Sequence, residues 1–224
     1  MKVCTDACLF GAWVADKLEK KEFEPKKIFD IGCGTGLLSL MLAQKTDTII
    51  DAIEIDADAF LQATENVEDS IFKNKINIFH GPIDQFFAHE KYDFIICNPP
   101  FYENQLKSND DAKNIAMHAT SLSFIELTNA VKNNLSDTGK AAILIPYNSV
   151  EALSEKLFTL NLYINEQLDI SHSPNHTLFR SVIIVSSKKN DCIKKEISIK
   201  DDKGNYSLAF SLLLQDYYLD ILGK

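Results

Sequence analysis

A short apolar segment followed at once by a glycine-rich turn constrains the fold of this chain more than any other feature. Residues 27–31 are mostly apolar and run into the sequence Asp30-Ile31-Gly32-Cys33-Gly34-Thr35-Gly36, after which residues 37–44 show helical spacing. Glycine adopts positive φ at little cost, so glycines at alternate positions predict a very tight turn. A strand, such a turn and a helix together form the repeating unit of a doubly wound α/β fold.

The rest of the chain repeats this alternation. Strands are predicted at residues 48–55, 76–79, 93–97 and 140–145, and helices at residues 5–20, 57–67, 121–135, 150–160 and 207–222. Strands that alternate with helices predict a mostly parallel sheet with helices on both faces. Residues 163–170 and 178–187 form two further strands with no helix between them, which predicts an antiparallel pair.

The size and composition of the chain predict one domain. Its 224 residues are 46% hydrophobic, and no long linker interrupts them. We therefore expect a single domain over residues 1–224. Within it we expect an N-terminal helix covering the ligand site (1–24), a sheet core (25–190) and a C-terminal tail and helix (191–224). We also expect a monomer.

Composition also indicates the cellular compartment and the kinds of ligand that this chain binds. No apolar run approaches the roughly 18 residues that a membrane span needs, and the polar N-terminus does not resemble a signal peptide. Five scattered cysteines without a Cys-x-x-Cys pair predict free thiols and no metal site. We expect a cytoplasmic protein that binds neither membrane nor metal. Its net charge of −9 argues against holding nucleic acid by charge alone.

The fourth predicted strand stops at the sequence Asn-Pro-Pro-Phe-Tyr, residues 98–102. Neither proline has an N–H group, and each holds the residue before it extended, so the Asn98 side chain and the Pro99 carbonyl remain available as acceptors. Two acceptors on a stiff loop suit the two hydrogens of a nucleobase amine, and Phe101 and Tyr102 can stack on its ring. Taken alone, however, this stretch is more typical of an ordinary turn.

The glycine turn resembles that of class I S-adenosylmethionine-dependent methyltransferases more than the Gly-x-Gly-x-x-Gly dinucleotide fingerprint, because an acid precedes its alternate glycines. Glu54 ends the second predicted strand about 20 residues further on. The resemblance implies S-adenosylmethionine as the cofactor, with Glu54 on the ribose hydroxyls. It also implies a Rossmann-like, seven-stranded, mostly parallel sheet in the order 3-2-1-4-5-7-6, with its last strand antiparallel.

The glycine turn, the acidic strand end and Asn-Pro-Pro-Phe occur in the same order as in methyltransferases that modify exocyclic or amide nitrogens. Within that group the chain resembles the bacterial tRNA(Val) (adenine-N6)-methyltransferases that act at tRNA position 37. Residues 1–13 are similar to that family's Met-Lys-Val-Gly-Thr-Asp-Gly-Val-Leu-Leu-Gly-Ala-Trp opening. His118, Arg180 and the Asp-Tyr-Tyr-Leu sequence at residues 216–219 match as well.

This resemblance implies methyl transfer from S-adenosylmethionine to the N6 amine of an adenine in tRNA. The implied catalytic residues are Asn98, Pro99, Pro100 and Phe101. The implied cofactor contacts are Thr5, Asp6, Asp30, Gly32, Gly34, Gly36, Glu54, Ile55, Ile83, Asp84 and Asn98. The implied substrate contacts are Phe101, Tyr102, His118 and Arg180. The lysines at residues 17–27, with Lys188 and Lys189, are further candidates for contacts with RNA phosphates, and a second lysine group at 194–195 lies nearby in the sequence. Each group is equally typical of a solvated surface.

Three departures from the family pattern modify these expectations. Met117 precedes His118 where the family often has arginine, which weakens the expectation that this segment contacts RNA phosphate. Pro82 stands where the wider class often has an acid that contacts the cofactor adenine, so we expect Asp84 or the backbone of Ile83 to make that contact. The chain also begins at Met1, where family members usually carry a further basic and aromatic segment, and we therefore expect a shortened form.

Alternative functions stay open at this point. Asn-Pro-Pro-Phe and Asn-Pro-Pro-Tyr also occur in methyltransferases that act on rRNA guanine and on protein glutamine, although the Thr5-Asp6 opening and the short chain favour tRNA. A non-catalytic RNA-binding module that merely retains the fold is the other alternative. Cofactor binding without turnover on any RNA would favour that module.

Overall fold

The computed structural model describes residues 4–86, 90–99, 123–219 and 221. The strands are β1 (Lys27–Ile31), β2 (Ile49–Glu54), β3 (Ile76–His80), β4 (Tyr92–Cys97), β5 (Leu135–Pro146), β6 (Tyr163–Ser171), β7 (Leu178–Ser186) and β8 (Ile193–Ser198). The helices are α1 (Thr5–Glu19), α2 (Leu37–Ala43), α3 (Ala57–Glu68), α4 (Phe124–Asn134), α5 (Val150–Thr159) and α6 (Leu208–Leu214). No described helix combines the length and apolar character needed to cross a membrane.

Within these residues the strands pair into one eight-stranded sheet in the order β3-β2-β1-β4-β5-β7-β6-β8. Only β7 runs antiparallel to its neighbours β5 and β6. Ile31 lies opposite Ile53 on one side and Cys97 on the other, so β1, β2 and β4 end together. We call the side where these three strands end the carboxyl edge, and the side where they begin the amino edge.

The predicted mostly parallel sheet, its strand order and its antiparallel last pair are confirmed. The structure adds β8, which lies parallel to β6 within the segment predicted to be a tail. Its first four residues are exposed and include Lys194 and Lys195, and only Ile197 is buried. Lysines are common on edge strands because they discourage pairing with other chains, and they also hide the apolar alternation by which a strand is predicted.

Both faces of the sheet are buried, as expected for strands with near-continuous apolar sequences. Phe94 and Ile96 of β4 pack into a core that includes residues of α1, α2 and α6. Ile95 and Cys97 point to the other face and pack with residues of α4 and α5. The two layers of helices hold β1 and β4 at the centre of the molecule, where their ends define the carboxyl edge.

The C-terminal segment ties α1 and α2 together. The last helix is predicted to fill all or half of residues 207–222, and α6 fills the first half, ending at Leu214. Beyond it, Asp216 forms an ion pair with Lys45 at 2.6 Å, and the Tyr217 hydroxyl donates a hydrogen bond to the Met41 carbonyl at 3.1 Å. Lys45 also contacts Glu19 of α1 at 3.0 Å. These contacts draw the chain across the end of α2.

Candidate active site

The glycine turn after β1 adopts a backbone that only glycine accepts readily. Gly32, Gly34 and Gly36 have φ values of +69°, +58° and +81°, in the left-handed region that L side chains disfavour. The amides of Gly32 and Cys33 both donate to the Ile53 carbonyl, at 2.9 and 3.0 Å, which fixes the turn against the end of β2. A Cβ atom on Gly32 would meet nothing within 4 Å. The turn therefore has one open side.

Glu54 lies directly beside this turn. Its buried carboxylate accepts hydrogen bonds from the Gly34 amide at 2.7 Å and the Asp56 amide at 2.9 Å, one on each oxygen. Each carboxylate oxygen has two acceptor positions, so one position on each remains available to a ligand. Glu54 thus shapes the turn and can still accept from a pair of hydroxyl groups.

Asp30 is fully buried at the end of β1. Its Oδ2 atom accepts a hydrogen bond from the Ser39 hydroxyl at 2.7 Å, and its buried Oδ1 atom has no partner among the residues described. Burial raises the pKa of this carboxyl to about 7, with the Ser39 hydrogen bonds opposing the rise and the charge of Glu54 adding to it. A buried acceptor without a partner is costly unless a ligand or water supplies a donor.

These groups fit S-adenosylmethionine better than a dinucleotide. A pyrophosphate would be repelled by Asp30 and Glu54, whereas the cofactor's ammonium, sulfonium and ribose hydroxyl groups are attracted by carboxylates. The open side at Gly32 gives such a ligand close access to the backbone. In the part of the chain that the structure describes, no cluster of three or more His, Cys, Asp or Glu side chains is arranged to hold a metal ion.

The other predicted adenosine contacts lie next to Glu54. Ile55 is exposed directly after it. The Gly81 amide donates to the Glu54 carbonyl at 2.9 Å, which places the end of β3 against the end of β2. Ile83 and Asp84 follow in a 3-10 turn, Ile83–Gln85, where the Asp84 side chain is exposed. The structure thus groups these residues on one side of the glycine turn.

Asn98 stands on the other side of the glycine turn. It follows Cys97, which lies in register with Ile31, so Asn98 lies level with the start of the glycine turn. Asn98 is half-buried, Pro99 is buried, and the Asn98 side chain makes no hydrogen bond to any described residue. Four other predicted site residues, Pro100, Phe101, Tyr102 and His118, lie outside the described residues.

Two predicted site residues from opposite ends of the chain meet at the carboxyl edge. The Arg180 guanidinium donates through Nε to Asp6 Oδ2 at 3.0 Å, and Asp6 Oδ1 accepts from the Ala7 amide at 3.0 Å. Asp6 was predicted to contact the cofactor and Arg180 the substrate. Their ion pair holds the beginning of α1, with Thr5, beside the beginning of β7.

Comparison with known proteins agrees with this geometry. The family model for the methyltransferase small domain matches residues 11–124. A tRNA1(Val) (adenine(37)-N6)-methyltransferase from Dyadobacter fermentans is 40% identical, over 98% of this chain and 91% of that protein. The relative of the same name from Trichodesmium erythraeum is 37% identical over the same shares. The chain belongs to the tRNA1(Val) (adenine(37)-N6)-methyltransferase family.

Solved structures confirm the class I methyltransferase fold. A predicted O-methyltransferase from Agrobacterium tumefaciens matches with a TM-score of 0.69, over 93% of this chain and 95% of that one, at 14% identity. A glycopeptide N-methyltransferase complexed with S-adenosyl-L-methionine matches with a TM-score of 0.58, over 80% and 88% of the two chains, at 8% identity. At such identities the likeness concerns the fold alone.

The lysine clusters of this methyltransferase lie away from the site. Lys17 is buried near the end of α1 and pairs with Glu22 at 2.7 Å and Glu166 at 2.9 Å. Lys27 opens β1 and pairs with Asp51 at 3.1 Å. The lysines at 188–189 follow the end of β7, and those at 194–195 open β8, so these positions also lie at the amino edge. The structure therefore does not favour the lysine clusters as contacts for RNA beside Asn98.

Proposed function

We propose that this protein transfers the methyl group of S-adenosylmethionine to the exocyclic N6 amine of adenine 37 in a valine tRNA, in the cytoplasm. One observation carries the chemistry: the half-buried Asn98 side chain, without a partner among the described residues, lies at the carboxyl edge on the side of the glycine turn opposite Glu54. Near-full-length similarity to relatives named for this reaction supports the choice of substrate.

Asn98 and Pro99 orient the reacting nitrogen. The side-chain oxygen of Asn98 and the carbonyl of Pro99 accept the two amine hydrogens of the adenine. This pair of hydrogen bonds draws the nitrogen lone pair out of conjugation with the ring and aims it at the cofactor site. S-adenosylmethionine supplies a sulfonium methyl group that is reactive without further activation. Catalysis by this chain is therefore mainly positioning of the nitrogen.

The cofactor is held by groups of the glycine turn and of the neighbouring strand ends. Glu54 accepts hydrogen bonds from the ribose hydroxyls, and Asp30 supplies a carboxylate oxygen that has no partner among the residues described. Ile55, Ile83 and Asp84 lie where the adenine ring is expected. The Asp6–Arg180 ion pair keeps the beginning of α1 at the same edge.

Recognition of the tRNA depends on the accessible base more than on charge. A protein of net charge −9 with its lysine clusters at the far edge neutralises few phosphates. Adenine 37 lies in the anticodon loop, where a base can be turned out of the stack at modest cost. We therefore expect the logarithm of affinity to fall with the logarithm of salt concentration at a shallow slope, near −0.7 per neutralised single-stranded phosphate.

The test uses two valine tRNA transcripts, one with adenine at position 37 and a matched one with guanine there. Each is incubated with the protein and methyl-labelled cofactor, and an Asn98→Ala preparation controls for contaminating host enzymes. Label that appears only in the adenine transcript, as N6-methyladenine, supports the proposal. Parallel incubations contain rRNA or a cell protein extract, and preferred labelling of rRNA guanine or of protein glutamine would refute the tRNA assignment. Cofactor binding without transfer to any RNA would identify a non-catalytic module.

A further inference from the structure

The connection between β6 and β7, residues 172–177, lies at the carboxyl edge. β6 ends there at Ser171 and β7 begins there at Leu178. Arg180 lies opposite Pro146 at the end of β5, which in turn neighbours β4 and Asn98. Three strand spacings separate β4 from β6 in the sheet, a distance of about 14 Å. The connection carries two of the chain's five histidines, and none of the sequence predictions uses them.

An exposed imidazole is stacked on a firmly held phenyl ring at this connection. The rings of His172 and Phe179 are nearly parallel, at 7°, with their centroids 4.0 Å apart. Phe179 is partly buried against the core, and the Arg180 guanidinium lies 5.7 Å from its centroid. His172 is exposed. The stack therefore presents a flat surface to solvent while its inner ring is fixed by packing.

A second histidine is held at right angles to the stack. The His176 ring lies at 83° to the His172 ring, with the centroids 6.3 Å apart. Its Nδ1 atom is hydrogen-bonded to the Ser173 hydroxyl at 2.7 Å. The Nε2 atom of this exposed ring makes no hydrogen bond to a described residue. It remains available to hydrogen-bond the edge of a ligand, as an imidazole nitrogen can act as donor or acceptor.

The connection is anchored to the turn that follows β8. The Lys200 amide donates to the His172 carbonyl at 2.9 Å, and the Asn175 side chain donates to Asp202 at 3.2 Å. These bonds fix the backbone on both sides of Ser173. The backbone that carries the two histidines is thus held by contacts with the turn that follows β8.

We propose that the His172–Phe179 stack, with His176 beside it, binds an unstacked base that flanks the methylated adenine in the RNA substrate. This inference rests on the proposed function. Aromatic and histidine rings bind single-stranded bases through stacking, which requires no net positive charge. Such a base contact suits an acidic protein whose lysine clusters lie at the opposite edge. It would also hold the loop open on the side of Asn98 away from the cofactor.

A similar aromatic group at the far end of the same strand supplies a matched control. At the amino edge, Phe158 and Tyr163 form an edge-on pair with centroids 6.1 Å apart, and Lys189 lies 6.0 Å above the Tyr163 ring. This group also combines exposed aromatic surface with a cation, but the full length of β6 separates it from the carboxyl edge. If any exposed aromatic surface could bind the RNA, both groups would contribute to the affinity. We expect that only the His172–Phe179 stack contributes.

The experiment measures the affinity of the valine anticodon stem-loop RNA for the parent, His172→Ala, His172→Phe and the control Tyr163→Ala. Removing one stacking partner should weaken binding by about 5- to 150-fold in His172→Ala. His172→Phe should retain most of the affinity because it keeps the stack, and Tyr163→Ala should match the parent. All four should bind S-adenosylhomocysteine equally, which verifies that the cofactor site is intact.

A second series replaces the bases next to adenine 37, one at a time, by abasic positions. One of these RNAs should bind the parent more weakly than the intact RNA does, by the same factor that His172→Ala loses. The same abasic RNA should bind His172→Ala as tightly as the intact RNA does, because this variant already lacks the stacking contact. If the parent methylates the intact stem-loop but His172→Ala binds it as tightly as Tyr163→Ala does, this inference alone is overturned. Additive losses at every abasic position overturn it as well. A parent that binds S-adenosylhomocysteine but neither binds nor methylates the RNA overturns the proposed function together with the inference.

Discussion

The two edges of the sheet differ in whether they contain buried or half-buried polar groups without a partner. At the amino edge three buried or partly buried lysines have anionic partners: Lys17 pairs with Glu22 and Glu166, Lys27 with Asp51, and Lys75 with Asp47. At the carboxyl edge, Asp30 Oδ1 and the Asn98 side chain have no partner among the residues described. The three glycines of the turn there also have positive φ.

This contrast separates stabilising charges from functional ones. A paired charge is already satisfied and has little left to offer a ligand, whereas an unsatisfied acceptor lowers stability until a ligand donates to it. The unsatisfied acceptors at the carboxyl edge thus lower the stability of the protein, and the same acceptors enable it to bind a ligand. Changes at the carboxyl edge should alter binding or turnover, while changes at the amino edge should alter stability alone.

The most damaging change to turnover should be Asn98→Ala at the carboxyl edge. Loss of one positioned polar group at the reacting centre typically costs roughly 2.7–4 kcal/mol, so single-turnover methyl transfer should slow by about 100- to 1000-fold. Affinity for S-adenosylhomocysteine, measured by calorimetry, should stay within a few-fold of the parent. The matched amide variant is Asn77→Ala, whose side chain donates to Asp51 at 2.8 Å; it should keep the parental rate. Full activity in Asn98→Ala would contradict the mechanism.

Lys17→Met should reveal the opposite behaviour at the amino edge. Removing one partner of a buried ion pair leaves the other charge uncompensated and typically costs roughly 3–5 kcal/mol. We expect the lower end of that range, about 3 kcal/mol, because Glu22 is itself half-exposed and can be hydrated. Urea unfolding measures this loss. The exposed Lys195→Ala, which also removes a contact with Glu166, should cost no more than about 1 kcal/mol. A slower methyl transfer per folded molecule in Lys17→Met would break the contrast between the edges.

Glu54→Ala should weaken binding of S-adenosylmethionine and its demethylated product by about 10- to 150-fold. Hydrogen bonds to a charged group contribute roughly 1.5–3 kcal/mol, and the substitution also frees the Gly34 amide that Glu54 now holds. Calorimetry with both ligands measures the effect, and Glu54→Gln separates loss of charge from loss of shape. The acidic control is Glu22→Ala at the amino edge, which should bind both ligands as the parent does. Parental affinity in Glu54→Ala would place the cofactor elsewhere.

Asp30 should give the cofactor-free protein a gradient of stability with pH. Burial raises its pKa from 3.8 to about 7 in the folded state, so between these values the folded chain binds more protons than the unfolded chain. Its contribution to stability is therefore fully present at low pH and is lost as pH rises toward 7. The slope is at most about 1.4 kcal/mol per pH unit. Asp30→Asn should flatten this dependence in urea titrations between pH 5 and pH 8, and identical slopes in both proteins would refute the assignment.

The sequence predicts the parts of the molecule that follow from local pattern. Alternating apolar strands and helices determine the sheet, and the parallel ends of β1 and β2 bring Glu54 to the glycine turn, as expected from its position in the chain. By contrast, β8 escaped prediction because exposed lysines mask its strand pattern. The contact between Ser39 and Asp30 is not predicted either, because no sequence motif marks Ser39 and the contact depends on how α2 packs against β1.

Most of the features that the sequence does not predict depend on contacts between distant residues or on where charged residues lie in the fold. Asp6 and Arg180 are 174 positions apart, and no local signal shows that they meet. Composition alone makes the lysine clusters candidates for RNA contacts. One sequence signal argues against this role: Lys27 begins a parallel strand and therefore lies at the edge opposite Asn98. The stack of His172 on Phe179 likewise depends on the geometry of the β6–β7 connection.

The position of β7 between β5 and β6 also determines the order in which the chain can be assembled during synthesis. β6 leaves the ribosome before β7, yet its hydrogen-bonding partners are β7 and β8, both of which are made later. The half of the sheet from β3 to β5 can pair as it emerges, whereas β6 must remain unpaired until the next strands arrive. The histidine-bearing connection therefore forms only after β7 and β8 have been made, later than the half of the sheet that carries the glycine turn and Asn98.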